Sequence, residues 1–266
     1  MQILLSPSEA KLSPKEIAKI AINDAQNNPQ NHLQKNPQNT TNNILDDNLW
    51  GGKEARNKHI KAYLQELAKS NDFQIAKIFG TKRVDLDILE KCLNLASTPR
   101  IKAIKLYNGV AYKALDFDSL EEKAQDFILE STLIFSNLFG LVRAKDALPY
   151  YHLNQNYRSN SVNLNSLYSA QKDDIDAFLG LDFSGTSSAK QNQQIIIDLR
   201  ASVYVKAYPL KRARLTCPHY ILPIPKGTSH QAKLHRGLAL RELAKASIQG
   251  KNAIQKMLDE KFIFID

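Results

Sequence analysis

Apolar positions along the chain follow two rhythms. Short unbroken runs read as buried strands: MQILL at the start, TLIFS and FGLVR between 132 and 143, QQIIIDL at 193–199, and the closing KFIFI. Elsewhere the apolar residues recur at helical spacing, as with Ile60, Tyr63, Leu64 and Leu67 between Gly52 and Ser70. Further helices are expected over 72–79, 85–95 and 98–107, the last opened by Ser97 or Thr98 as cap with Pro99 in its first turn. In DSLEEKAQDFILES, Ser119 and Glu122 have capping-box spacing. A long helix over 229–248 and a shorter one over 253–259 precede the last strand. Strands and helices interleave without a repeat, which predicts an α/β (mixed α+β) fold: one domain over 1–266, with a mixed sheet wrapped by helices.

Two stretches interrupt this pattern. Residues 23–43 form an Asn/Gln/Pro tract with little to bury, and 184–193 is polar and rich in small residues, so both read as flexible insertions. The chain has 266 residues and 43% hydrophobic content, enough for a sizeable core. Its formal charge of +9 suits a polyanion or a phosphorylated ligand. The N-terminal run is too short for a signal peptide and no stretch reaches membrane-span length, so the expectation is a cytosolic protein without membrane contact. Cys92 and Cys217 lie far apart without a CxxC partner, which fits a reducing compartment and argues against a disulfide framework or a thiolate zinc site. The histidines are scattered without an HExxH pattern, and no P-loop, GxGxxG or GxSxG occurs, so no metal or cofactor is expected.

Candidate chemistry sits where strands end. Ser6, Glu9 and Lys11 follow the first strand, Arg143 ends FGLVR, and Asp198 and Arg200 end IIIDLR with Tyr204 a turn later. Ligands of α/β folds collect beyond the carboxyl ends of strands, and guanidinium groups grip phosphate or carboxylate. The expectation is that Arg143 shares an anion-binding crevice with Lys11, Arg200 and Arg236, with Glu9 and Asp198 holding the cations. Its rival is a structural Arg143–Asp146 ion pair. From Leu199 to Met257 there are twelve Lys or Arg residues and one acid, Glu242, which makes this part the electrostatic footprint. Lys233, Arg236, Leu240 and Leu243 share a helical face, where Arg236 either serves the site or snorkels; Arg241 and Lys245 read as an ordinary exposed pair. Gly80 in KIFGTKRVDL separates two helical stretches, as in a helix-hairpin-helix or at a plain helix C-cap.

The blocks LLSPSEAK, YNGVAYKALDFDSL, LIFSNLFGLVRAKDALPYYHL, IIIDLRASVYVKAYP and TSHQAKLHRG occur in the order and approximate spacing of the peroxide stress protein YaaA family, which the chain resembles over nearly its whole length. The resemblance implies a cytosolic bacterial protein that limits free intracellular iron under peroxide stress and binds double-stranded DNA. It also implies a helix-hairpin-helix-like element and a positively charged cleft. Carried over by position, the family's polar cluster is Ser6, Glu9, Lys11, Arg143, Tyr151, Asp198, Arg200, Tyr204, Lys233 and Arg236; Lys82 and Arg83, after Gly80, are further candidates for anion or DNA binding. Two departures stand out: YYHLNQ where many relatives have Arg-Leu after the tyrosine, and the degenerate FGTKR. Two function classes stay open, a DNA-binding stress protein and an enzyme or binder acting on a small anionic ligand. The oligomeric state stays open as well.

Overall fold

A computed structural model describes residues 1–27, 49, 52–181, 194–210, 217–224 and 227–265. Strands β1 (Gln2–Leu5), β3 (Thr132–Ser136), β6 (Ile196–Leu199) and β7 (His219–Ile221) run parallel in the order β3-β1-β6-β7. Antiparallel strands β4 (Gly140–Arg143) and β8 (Ile263–Ile265) flank them on either side. A separate two-stranded ladder pairs β2 (Arg100–Lys102) with β5 (Ala147–Pro149). The apolar runs are continuous because both faces of the parallel strands are covered. Ile3, Leu5, Ile134, Ile197 and Leu199 face a large core; Leu4, Leu133, Phe135 and Ile196 face a second, smaller one.

Helices α2 (Lys53–Lys69), α3 (Asp72–Phe79), α4 (Leu86–Leu93), α11 (Ser229–Gln249) and α12 (Lys251–Lys261) form where the apolar periodicity predicts them. Gly80 is the left-handed C-cap of α3, the plainer of its two expected roles, and α4 follows after a short turn. Helices α8 (Leu164–Ala170), α9 (Lys172–Phe178) and α10 (Ser202–Ala207) supply the second face. Among the described residues no helix is long and apolar enough to cross a membrane.

Four local expectations change. Residues 98–107 are not one helix: β2 forms first, because Ile101 pairs with Leu148, and only then does the short α5 (Ala103–Leu106) follow. Ser119 does not cap α7 (Glu122–Ser131); its hydroxyl donates to the Asp116 carbonyl in a 3-10 turn at Phe117–Ser119. The tract at 23–43 begins inside a helix, since α1 runs over Pro14–Asn27, and the remainder and the 184–193 loop lie outside the described residues. Arg241 is not an ordinary exposed cation. It donates to the carbonyls of Leu115 and Asp116 at 2.7 and 2.9 Å and to the Ser119 hydroxyl, closing the C-terminus of α6 (Val110–Leu115).

Candidate functional site

β1 and β6 are neighbours, yet the chain leaving β1 continues to β3 on one side while the chain leaving β6 continues to β7 on the other. Their carboxyl ends therefore form a topological switch point, where the departing loops diverge and leave room for a ligand. Ser6 occupies it: its hydroxyl accepts the Ala201 N–H at 2.7 Å and its carbonyl accepts the Tyr112 hydroxyl at 2.9 Å. The following segment is zipped to residues 106–109 by Leu12 N–H to the Leu106 carbonyl and Asn108 N–H to the Ala10 carbonyl, both 2.9 Å. Gly109 makes this approach possible, since a Cβ there would lie 2.0 Å from the Ser8 hydroxyl.

That zipper aims Lys11 inward. Its Nζ lies 4.1 Å from the Tyr151 ring centroid and 5.6 Å from that of Tyr107, and it donates to the carbonyls of Ser8 and Glu9 at 3.3 and 3.2 Å. Among the described residues no carboxylate lies within 4.0 Å of it. Burial pulls its pKa down to about 7, against the upward pull of Cys92 and Glu9. Burial also pushes the Cys92 thiol up to about 11, so near neutral pH it is uncharged and leaves Glu9 as the opposing anion. Burial and the Lys11 charge together pull His152 down.

Beneath Lys11 the end of β3 carries a hydroxyl network. Tyr151 Oη contacts Tyr107 Oη at 2.9 Å and Ser136 Oγ at 3.0 Å, and donates to Asn137 Oδ1 at 3.0 Å. Ser136 Oγ also accepts the N–H groups of Leu138 and Phe139, which fixes the turn after the strand. Burial raises Tyr107 to about 12 and Tyr151 well above the ordinary phenol range, so the network is neutral. Tyr204 is buried beside it, raised first by burial and then by the charges of Tyr107 and Glu9.

The structure separates the other predicted site residues. Arg143 ends β4, which is antiparallel, and pairs with Leu133 near the start of β3. That places it three residues, or about 10 Å, from the strand end carrying Ser136. Its guanidinium holds Asp146 at 2.8 Å, and the same carboxylate accepts the Arg143 N–H. The shared crevice expected for Arg143 is therefore corrected to the Arg143–Asp146 ion pair. Arg200 is also committed elsewhere: it grips Asp198 through Nε at 2.9 Å and Nη2 at 2.7 Å, donates Nη1 to the Tyr208 carbonyl, and lies over the Phe135 ring at 4.5 Å. Burial pushes Asp198 up, but Arg200, its hydrogen bonds and His219 together hold the carboxyl below its usual range. Asp198 shares the Leu4 face of the sheet and Lys11 meets the Tyr107 face, so the sheet stands between them.

Arg236 is half-buried on the face of α11 that carries Leu240 and Leu243. The next residue, Gly237, lies against α6, where a Cβ would come 2.0 Å from the Ala111 carbonyl. Burial lowers the Arg236 pKa and Asp198 raises it. Glu9 is exposed and accepts the Gln155 N–H at 3.2 Å. Lys82, Arg83 and Lys233 are exposed. Two surface concavities, one apolar and lined by Ile17, Pro99 and Tyr150, the other polar and lined by Gln65, Glu66 and Gln74, contain none of the predicted site residues. Tyr107, Ser136, Asn137 and His152 were not singled out from the sequence. TLIFSN ends a strand in polar residues just as MQILLS does, but without a charge to draw notice.

A family model described as "Peroxide stress protein YaaA" matches residues 1–266. The chain is 31% identical over 255 residues to an uncharacterised protein of Campylobacter jejuni, covering 96% of this chain and 87% of that one. It is 32% identical over 161 residues to a UPF0246 protein of Corynebacterium glutamicum, covering 60% and 61% of the two chains. A UPF0246 protein of Bordetella avium is 27% identical over 168 residues, covering 61% and 63%. The match to the whole sequence places the chain in the peroxide stress protein YaaA family.

Proposed function

We propose that the protein serves the peroxide stress response through the strand-end site around Lys11, as an enzyme or binder acting on a small anionic ligand. The observation that carries this reading is Lys11 itself: a half-buried cation at the switch point, set against aromatic rings and main-chain carbonyls instead of a carboxylate. Desolvating a cation without a paired carboxylate costs free energy that a merely structural position does not recover, which is the mark of a site. The reading also assigns a role to Arg236, a half-buried cation that faces the charge of Asp198 from beyond 4.0 Å, with no carboxylate nearer among the described residues. The test is complementation of a peroxide-sensitive strain lacking the gene. Lys11→Met and Arg236→Met are expected to fold and to lose protection; full protection by both would overturn the reading.

A second reading, double-stranded DNA binding, is favoured by the exposure of Lys82 and Arg83 in the α3–α4 turn and of Lys233 on α11. Phosphate contacts release counterions, so affinity should fall steeply with salt and show little sequence preference. Replacing all three by serine should flatten the log–log salt slope by about 0.9 per phosphate that is no longer neutralised. Absence of binding at low salt, or indifference to salt, would rule this out. Limitation of free intracellular iron belongs to the same proposal as a cellular outcome. Among the described residues no three His, Cys, Asp or Glu side chains come together to hold a metal. Equal free iron in peroxide-treated cells with and without the gene would refute it.

A further inference from the structure

We propose that Lys11 is a carbonyl-reactive amine, whose Nζ condenses with a small aldehyde or ketone to form an imine at the carboxyl end of β1. The inference rests on the small-molecule reading of this site and names its substrate class. Three features of the geometry support it. The Nζ has two hydrogen-bond acceptors, the carbonyls of Ser8 and Glu9. A neutral amine has two N–H donors and one lone pair, so these carbonyls satisfy both donors and leave the lone pair for attack, whereas an ammonium has a third N–H to place. The groups facing Lys11 are Glu9, Cys92, His152, Tyr107 and Tyr151. Near neutral pH the thiol and both phenols are uncharged and His152 is pulled toward its neutral form, so Glu9 is the remaining anion and burial dominates, bringing the amine to about 7. Finally, Lys11 keeps partial contact with solvent, while the buried rings of Tyr107 and Tyr151 lie against its amine.

The chemistry balances without an oxidant. The Lys11 lone pair forms a bond to the carbonyl carbon, the C=O pair moves to oxygen, and a proton passes from nitrogen to oxygen to give the carbinolamine. The C–O bond then breaks, the hydroxyl leaves as water with a proton from solvent, and the nitrogen loses its remaining proton to give the imine and one water. The competing arrangement is an ammonium clamped over the two rings as a permanent cation–π contact, unreactive at neutral pH.

Reductive trapping separates the two. The full chain is incubated at pH 7 with glyoxylate and sodium cyanoborohydride, and the modified lysines are quantified over time by peptide mapping. Lys15 and Lys19, exposed on α1, serve as internal references. An amine of pKa near 7 is about half unprotonated there, against about one part in 2,500 for an ordinary lysine, and even after its lower intrinsic nucleophilicity Lys11 should react at least about tenfold faster. Its rate should level off above pH 7 while that of Lys15 keeps rising. Labelling of Lys11 no faster than Lys15, or a rate that climbs in parallel with it to pH 9, overturns the imine. In that event loss of peroxide protection by Lys11→Met and Arg236→Met would still support a small-molecule site, so the two readings fail separately.

Discussion

Arg200 and Lys11 both follow the end of a central parallel strand, and the fold treats them in opposite ways. The Arg200 side chain is 0% exposed, yet its Nε, Nη1 and Nη2 groups each have an acceptor, and a carboxylate faces it at 2.7 Å. Lys11 keeps some contact with water but has rings and carbonyls where the carboxylate would be. A cation matched to a carboxylate and fully hydrogen-bonded is part of the architecture. One that is desolvated without a carboxylate in contact is poised to change its protonation or to take a ligand. Arg143, with its Asp146 partner, falls on the architectural side.

The sharpest way to break this contrast is to strand a carboxylate. Arg200→Met leaves Asp198 buried and unpaired and should cost about 3–5 kcal/mol in urea unfolding, with most of the loss recovered in the double variant Asp198→Leu/Arg200→Met. Because the folded Asp198 pKa is depressed, the pair's stabilisation is fully present above the unfolded value of about 3.9 and is lost as pH falls through the folded value. A wild-type advantage over the double variant that persists unchanged to pH 2 would contradict the pairing.

Arg143→Met should cost less, about 2 kcal/mol, because its side chain is 33% exposed and Asp146 keeps the Arg143 N–H. Peroxide protection should survive in this variant wherever the protein stays folded; its loss without a fall in melting temperature would return Arg143 to the site. Arg241→Ala removes the closure of α6 and should cost about 1 kcal/mol, seen as a small fall in the urea midpoint.

Lys11→Met should act with the opposite sign, leaving melting at pH 7 unchanged or raised. The folded Lys11 pKa lies below its unfolded value of about 10.4, so the unfolded chain binds the extra proton between these limits. The penalty on the native state is complete below pH 7 and disappears as pH rises toward about 10.4. The stability of wild type relative to Lys11→Met should therefore climb across that window. A flat difference would mean that Lys11 is not desolvated.

Much of the fold was legible in the chain. β1, β3, β4 and β6 are unbroken apolar runs, and α2, α3 and α11 carry periodic apolar faces, so local pattern was enough to find them. α1 escapes a reading by pattern although Ser13 and Glu16 form a capping box, because the Asn-rich composition that follows masks the helix start at Ser13-Pro14. β2, β5 and β7 are three-residue strands whose hydrogen bonds go to distant partners, too short for any period to register. Within the site, Ser6 and Lys11 could be read as polar residues leaving a strand, whereas Tyr107 could not be joined to Tyr151, since the pairing of β2 with β5 is what brings their segments together.

Periodicity and charge are local properties, so the chain alone reveals which segments are strands and helices and that cations gather at several strand ends. Which of those cations are neutralised depends on the folded arrangement. Strand direction put Arg143 at the opposite rim, the alternation of side chains turned Asp198 and Arg200 to the face away from the Tyr107 side, and the zipper with residues 106–109 folded Lys11 against two rings. A solvation cost depends on what surrounds a charge in three dimensions, and no one-dimensional pattern carries that information.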